Sequence, residues 1–245
     1  MPMVSAVFNA LIHDPLYNAL VFLIGVVPYF DVGIAVIILT LFVKLLLFPL
    51  AKKAIHTQVT LKKIGPHLED IKKKYKDNQQ EQVKRTLETY RENDIHPLSG
   101  ILTLFIQLPV ILGLYWVFLR GGLPNIDVAT LYAFVSVPET VNMNFLNLID
   151  MGGRSLVLAL LAGATQFIHA QIAIQPPETK TKPGESLKDD LARNMSIQMR
   201  YVLPIFVGGI AYFISSAIAL YWTTSNLFTI GQELFVRKRI RDTQK

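Results

Sequence analysis

The chain has 245 residues, of which 51% are hydrophobic, and its mean hydropathy is +0.38. With several apolar runs near 20 residues, this composition excludes a soluble globule and indicates a polytopic membrane protein with one membrane domain. The absence of cysteine excludes disulfides, a lipid-modified N-terminal cysteine and thiolate metal sites. The formal charge of +6 is informative mainly through where the basic residues lie.

Basic residues alternate between the segments that separate the apolar runs. Residues 1–31 contain none, 52–97 contain eleven, 120–154 two, 175–200 five and 237–245 five. By the positive-inside rule, the N-terminus lies outside and the C-terminus lies in the cytoplasm. This topology requires an odd number of spans.

Residues 1–31 are predicted to be an outer segment. His13, Asp14 and Pro15 interrupt its apolar residues, and the remaining stretch, Leu16 to Val27, is too short to span a bilayer. We expect a helix lying on the outer interface, with Pro15 in its first turn. The alternative, an additional span, would place the basic loops on the wrong side.

The first predicted span, residues 32–51, contains one charged side chain, Lys44. In a continuous helix, Lys44 lies ~10 Å inside the end marked by Lys52 and Lys53. A lysine in mid-membrane costs ~2.5–3.5 kcal/mol, and the apolar runs 98–119, 155–174, 201–214 and 216–232 hold no Asp or Glu to offset it. We therefore expect Lys44 to face a water-filled cavity suited to an acidic guest. The alternative is snorkelling with local thinning of the membrane.

Residues 52–97 are predicted to form a cytoplasmic antiparallel helical hairpin with a turn at Lys76-Asp77-Asn78. Two apolar stripes with helical spacing support it, and they consist of Ile64, Leu68, Ile71 and Tyr75, and then Val83, Leu87 and Tyr90. The basic outer surface, which includes Lys72–Lys74, suits anionic headgroups or ribosomal RNA. The alternative is a solvated helix pair without a partner.

The second and third spans carry buried polar side chains. Residues 98–119 contain Gln107, for which an interhelical hydrogen bond and a place in a cavity wall are equally compatible with the sequence. An outer loop, residues 120–154, follows. Residues 155–174 form the third span, with Gln166 and His169 near its inner end. His169 is expected to form hydrogen bonds and not to bind a metal, because no second ligand lies at suitable spacing.

The C-terminal part begins with a cytoplasmic loop, residues 175–200. The apolar stretch that follows would be ~54 Å long as one helix, against ~30 Å of hydrocarbon, and both of its flanks are basic. We therefore predict two spans, 201–214 and 216–236, that turn outside near Ser215-Ser216. Residues 237–245 form a basic cytoplasmic tail, and the span count is five.

Four matches in sequence order carry a resemblance to a known family. They are TLFVKLLLFPLAKKAIHTQ in the first span, the charged hairpin after it, IQLPVILGLYWVF in the second span and ALYWTTSNLFTIGQ in the last. The chain resembles the YidC/Oxa1/Alb3 membrane protein insertases over almost all of its length. The resemblance implies an all-α polytopic fold with five transmembrane helices around a hydrophilic groove that opens to the cytoplasm.

The same resemblance assigns groove positions. Lys44 occupies the position of the groove's basic residue, which is usually arginine, and lysine offers a point charge where arginine offers a planar fork. Thr40, Gln166 and Trp222 match further groove positions, and Gln107 is added as a candidate from its burial in the second span. The basic surface residues Lys72, Lys73, Lys74, Arg237, Lys238 and Arg239 are predicted to contact the ribosome or the membrane.

These observations predict a non-enzymatic insertase without cofactor or metal, in the bacterial plasma membrane. The resemblance implies nascent membrane proteins, the ribosome, the Sec translocon, the signal-recognition-particle receptor and the lipid bilayer as partners. Two alternatives are a small-solute transporter that uses Lys44 as counter-ion and a non-conducting assembly scaffold.

Overall fold

A computed structural model of the protein describes residues 6–26, 31–95, 110–118, 123–174 and 187–242. The helices there are α1 (Asp14–Val26), α2 (Val32–Leu46), α3 (Phe48–Lys74), α4 (Gln79–Glu92), α5 (residues 110–118), α6 (Leu156–Ala173), α7 (Leu187–Ile197), α8 (Leu203–Ile214) and α9 (Ser216–Asp242). Strands β1 (Asn144–Phe145) and β2 (Ile149–Asp150) pair in antiparallel fashion. The predicted all-α membrane fold is thus confirmed at this coarse level.

The chain forms two compact units, which we call the core unit and the hairpin unit. The core unit contains Met1–Leu45 and Pro109–Gly231, and the hairpin unit contains Leu46–Leu108 and Gln232–Lys245. Helices α2 and α3 therefore belong to different units, and α9 ends in the hairpin unit.

The core unit is built from helices that are apolar on nearly all faces. Their inner faces supply a core of fully buried residues that includes Leu20, Val32, Val117, Ala162 and Ala219. Large apolar side chains also cover the outside, among them Leu160, Ile205 and Phe213. Such exposure is stable in lipid and costly in water, so the chain is an integral membrane protein.

Helices α6 and α8 approach each other through glycine. A Cβ atom placed on Gly163 would lie 3.2 Å from the carbonyl oxygen of Pro204 and 3.5 Å from the Cα atom of Gly208. Small residues permit such close backbone contact, and this contact helps hold helices together in lipid, where hydrophobic burial between them is weak.

The N-terminal helix differs from the sequence-based interpretation. The chain is helical throughout Ala6–Val26, a segment that is long and apolar enough to cross a membrane. The expected interruption at His13–Pro15 is therefore wrong. A π-helical turn at Asn9–His13 runs directly into α1. Pro15 has no N–H to donate to the preceding turn, and the wider π-helical turn lets the helix continue without that hydrogen bond.

The first predicted span also differs, because α2 ends at Leu46 and α3 begins at Phe48. Residues 32–51 are therefore not one continuous helix. Pro49 lies at the start of α3 and cannot donate a hydrogen bond to continue α2. Together with the three unbroken candidates Ala6–Val26, Leu156–Ala173 and Arg193–Ile214, this broken pair gives at most four candidate spans among the described residues by length and composition.

The break predicted near Ser215 is confirmed. Ser215 is extended, with φ of −163°, between the end of α8 and the start of α9. Helix α9 then continues to Asp242, so the predicted tail begins as the last turns of this helix.

The predicted helical hairpin is present as α3 and α4. The prediction that Val83 and Leu87 form the inner face of α4 is wrong. Val83 and Leu87 are 55% and 58% exposed. The face of α4 towards α3 is polar and is shifted by one residue towards the N-terminus from the predicted stripe. Gln82 Nε2 donates to the carbonyl oxygen of Lys72 at 3.4 Å, and Thr89 is buried. On α3 the predicted stripe is better supported, because Ile71 is buried.

The loop between α5 and α6 is fastened to the ends and the middle of the core helices. In the middle of α1, the Asn18 side chain donates to the Thr130 carbonyl at 3.0 Å and accepts from the Tyr132 N–H at 2.6 Å. Asp31 accepts from the N–H groups of Ile34 at 2.8 Å and Leu146 at 3.0 Å, which caps α2 and holds the β-hairpin. The loop is therefore a fixed part of the core unit.

Candidate functional site

A cluster of polar side chains lies on α2, α6 and the part of α9 that belongs to the core unit. Lys44, in the last turn of α2, donates from Nζ to Thr229 Oγ1 on α9 at 3.1 Å. The Thr229 hydroxyl donates its own proton to the Ser225 carbonyl at 2.7 Å. Thr229 thus offers an oxygen lone pair to the ammonium, and this contact is between a charge and a neutral group.

A second contact joins α6 to α9 one turn earlier. Asn226 Nδ2 donates to Thr165 Oγ1 at 3.3 Å, and both residues are buried. The Thr165 hydroxyl donates within α6 to the Leu161 carbonyl at 2.8 Å. The Thr165 hydroxyl is therefore bonded both within its own helix and to the facing one.

His169 lies one turn after Thr165 on α6 and completes the cluster. Its Nδ1 atom is buried without a hydrogen-bond partner, contrary to the expectation of a hydrogen-bonding histidine for this atom. The Lys44 ammonium is close enough to interact with it electrostatically. We call Lys44, Thr165, His169, Asn226 and Thr229 the polar cluster. These five residues include no carboxylate.

The position of Lys44 corrects one step of the sequence argument. Because α2 ends at Leu46, Lys44 is two residues from a helix C-terminus and not well inside a continuous helix. The carbonyl groups at a helix C-terminus favour a cation by ~0.3–1 kcal/mol, so the helix end contributes to holding this charge.

The other predicted groove residues differ in their burial and their contacts. Thr40 is buried, and its hydroxyl donates within α2 to the Val36 carbonyl at 2.6 Å. Gln166 is half-buried beside Thr165. Trp222 is half-buried and packs against the apolar core one turn before Asn226. Gln107 lies outside the described residues.

Sequence reasoning missed four of the five cluster residues as groove candidates, although a periodic signal was present. Trp222, Asn226 and Thr229 follow one another at spacings of four and three, which places them on one face of α9. Thr165 and His169 stand four apart on α6. A search for polar residues at helical spacing within the apolar runs would have found both faces.

The residues of the predicted basic surface differ in exposure. Lys72, Lys73 and Lys74 on α3 and Lys238 and Arg239 on α9 are exposed. Arg237 is only partly exposed, and its Nη2 atom lies 3.6 Å from Oε1 of Glu233, whose side chain is 3% exposed. A buried carboxylate holds the guanidinium close to α9, and the i, i+4 spacing of the pair makes this contact possible.

Comparisons with known proteins agree with the membrane fold. Residues 22–244 match the protein family described as 60Kd inner membrane protein. The chain is 32% identical to the membrane protein insertase YidC of Oceanobacillus iheyensis, over 84% of this chain and 74% of the relative. It is 30% identical to that of Fusobacterium nucleatum, over 93% and 98% of the two chains. It is 29% identical to that of Clostridium tetani, over 86% and 84%. The chain therefore belongs to the 60Kd inner membrane protein family, whose relatives include these YidC insertases.

Proposed function

We propose that the chain inserts membrane proteins into the lipid bilayer and that the polar cluster receives the polar segment of the client. The observation that carries the proposal is a lysine in the core unit that donates to a neutral hydroxyl group on a facing helix. Membership of the family, with relatives named membrane protein insertase YidC, supports it.

The cluster lowers the cost of moving a polar segment into the membrane. An unsatisfied polar group in hydrocarbon costs several kcal/mol, and the side chains of Asn226, Thr229 and Thr165 can exchange hydrogen bonds with it. Lys44 adds attraction for acidic client residues, worth about 1 kcal/mol at 4 Å even in water. We propose that Gln166 on α6 and Trp222 on α9, which neighbour the polar cluster, also contact the client. Gln107 is proposed as a further client contact because of its position in the second span.

The client's own apolar span supplies the energy. Each buried CH₂ group contributes about 0.8 kcal/mol as the span enters lipid. Acidic residues that cross outward are also driven by the membrane potential, at ~2.3 kcal/mol per charge and 100 mV. The proposed reaction therefore requires no bond chemistry, cofactor or enzyme activity.

We propose five spans, with the N-terminus outside and the C-terminus in the cytoplasm of a bacterial inner membrane. The spans are residues 32–51, broken at Leu47, and 98–119, 155–174, 201–214 and 216–236. Helix α1 remains interfacial in this scheme. Its midpoint residue Asn18 bonds the backbone of the loop that follows α5, and such irregular backbone is disfavoured at mid-membrane depth.

We further propose that the hairpin meets the ribosome or the nascent chain through Lys72–Lys74, with Lys238 and Arg239 adding positive charge. Their exposure supports this role. The Sec translocon and the signal-recognition-particle receptor are proposed as partners from the family resemblance.

Reconstitution into liposomes tests the proposal. A single-span client should integrate in the presence of the purified protein without other factors. Two clients should be compared that differ only in whether the translocated segment carries acidic or neutral residues. Lys44→Ala should reduce insertion of the acidic client about fivefold, which corresponds to the ~1 kcal/mol attraction, and affect the neutral client less. Lys44→Arg should retain activity.

The matched control is Lys53→Ala, an exposed lysine outside the polar cluster. If the Lys44→Ala protein, present at wild-type amounts, inserts both clients equally well, then the charge of Lys44 is not part of the mechanism. Accumulation of a small anionic solute without insertion would indicate a transporter. If the protein neither inserts a client nor accumulates solute, it is a scaffold.

A further inference from the structure

A cavity of about 250 Å³ lies within the hairpin unit, between the beginning of α3 and the end of α9. Three of its lining side chains are basic: Lys52 and His56 on α3 and Arg239 on α9. Its apolar lining includes Phe48, Phe235 and Val236. A site of this kind combines cations with an apolar wall and therefore fits an anionic amphiphile better than a simple anion.

The two helices arrange the lining in the same order. On α3, Phe48, Lys52 and His56 follow at four-residue spacing, which places them on one face. On α9, Phe235 and Arg239 have the same spacing. In the proposed topology both helices run towards the cytoplasm here. The cavity therefore has its two phenylalanines on the membrane side and its basic residues, together with Ile240, on the cytoplasmic side.

The surroundings of the cavity are open to lipid on the apolar side. Phe235 is 58% exposed and its neighbour Leu234 is 55% exposed, whereas Val236 is buried and forms a wall. A second cavity shares Phe235 and Arg239 and adds Lys238 and Asp242. The Asp242 carboxylate belongs to that second cavity and does not line the first.

We propose that this cavity binds the headgroup of an anionic phospholipid of the cytoplasmic leaflet. Arg239 and Lys52 contact the phosphate, since a guanidinium pairs with phosphate oxygens through two donors and an ammonium acts as a point charge. The acyl chains extend along Phe48 and Phe235 into the bilayer. The volume corresponds to about eight waters at ~30 Å³ each, which accommodates a glycerol phosphate group and leaves the chains outside. An RNA phosphate would leave the apolar wall without a partner.

The site uses none of the polar-cluster residues, and of the proposed basic surface it shares only Arg239. It would tie the beginning of α3 and the end of α9 to the same lipid.

Native mass spectrometry of the full-length protein in detergent tests the assignment. Phosphatidylglycerol and phosphatidylcholine with the same acyl chains are titrated separately. The test variant is the double substitution Lys52→Ala with Arg239→Ala. The matched control is Lys53→Ala with Arg241→Ala, which removes the same charge from exposed residues that do not line the cavity. The conservative exchange Lys52→Arg with Arg239→Lys checks that positive charge is sufficient.

We expect the wild-type protein, the matched control and the conservative exchange to bind the first phosphatidylglycerol more tightly than phosphatidylcholine. In the test variant, phosphatidylglycerol binding should weaken by about tenfold or more, because two basic contacts are lost. Glycerol phosphate at equal concentration should fail to displace the lipid, because it lacks acyl chains. Equal weakening in the matched control, no weakening in the test variant, or displacement by glycerol phosphate would each overturn the proposal. Circular dichroism of each variant confirms that helix content is retained.

Discussion

The contact between α6 and α8 provides a sharp test of how this membrane fold is held together. Gly208 and Gly209 are adjacent on α8, but only one of them faces α6. A Cβ atom on Gly208 would lie 3.3 Å from the Ala159 carbonyl oxygen and 3.5 Å from the Gly163 Cα atom, whereas a Cβ atom on Gly209 would meet nothing within 4 Å. The same substitution at the two positions therefore separates packing from helix propensity.

At Gly208, helix propensity and packing are expected to change the stability in opposite directions. Replacing glycine by leucine improves helix propensity by about 1 kcal/mol at either position. At Gly208 the side chain must also push α8 away from α6, and overpacking costs typically ~1–3 kcal/mol, and more where backbone blocks the side chain. Gly208→Leu should thus be destabilised relative to Gly209→Leu by about 1–3 kcal/mol or more. For a chain of this size, each kcal/mol corresponds to a Tm change of ~2–4 °C.

The assay is thermal unfolding in detergent, followed by the fraction of monodisperse protein that remains after heating. Gly209→Leu should keep the wild-type midpoint or raise it slightly, and Gly208→Leu should lower it by several degrees. Gly163→Leu should behave like Gly208→Leu, because it lies on the other side of the same contact. Midpoints that agree within one degree for Gly208→Leu and Gly209→Leu would refute the close packing of α6 on α8.

Three further predictions address other parts of the chain. Asp31→Ala removes the acceptor of the Ile34 and Leu146 N–H groups and should lower stability by ~1–2 kcal/mol, measured by the same melting assay. Asp127→Ala is its control, because the Asp127 carboxylate accepts from Ala129 and Thr130 within its own exposed turn, and equal losses would contradict the role of Asp31. Because the chain lacks cysteine, single cysteines introduced at Asn78, Lys182 and Asn142 are clean topology probes, and the five-span scheme requires only Asn142→Cys to be labelled from outside. Replacing Lys72, Lys73 and Lys74 by glutamine should leave the melting midpoint unchanged, since all three are exposed, and weaken association with ribosomes or anionic vesicles in low salt. Association that is insensitive to salt in the wild-type protein would exclude an electrostatic role.

Large-scale features could be predicted from the sequence because they depend on totals along the chain. The break at Ser215 followed from length alone, since an apolar stretch of that length with basic flanks does not fit one crossing. The helical hairpin followed from polarity and a turn at residues 76–78. Neither required knowledge of which side chains touch.

Local geometry could not be predicted, because it depends on backbone hydrogen bonds and on the facing helix. Pro15 follows His13 and Asp14 and predicted an interruption, whereas Pro49 lies in an apolar run that predicted one continuous span. In the structure Pro15 follows a π-helical turn without interrupting the helix, and Pro49 coincides with the break at Leu47. The apolar positions of α4 suggested an inner face, but Gln82 and Thr89 occupy it. Glu233 stands at the end of the last apolar run, and its pairing with Arg237 shows only when the helix continues through both residues.

The two sides of α6 are held by different forces, and this difference bears on the proposed insertion mechanism. On one side, Gly163 and Gly208 bring the α6 and α8 backbones into direct contact, and separating them would lose close packing that nothing in lipid replaces. On the other side, the polar cluster links α6 to α9 by the hydrogen bond between Asn226 and Thr165. A polar client group can take over that bond, whose net worth is only about 0.5–1.5 kcal/mol. A client that enters between α6 and α9 therefore meets little resistance from the cluster, while the α6–α8 pair keeps His169 and Thr165 in place.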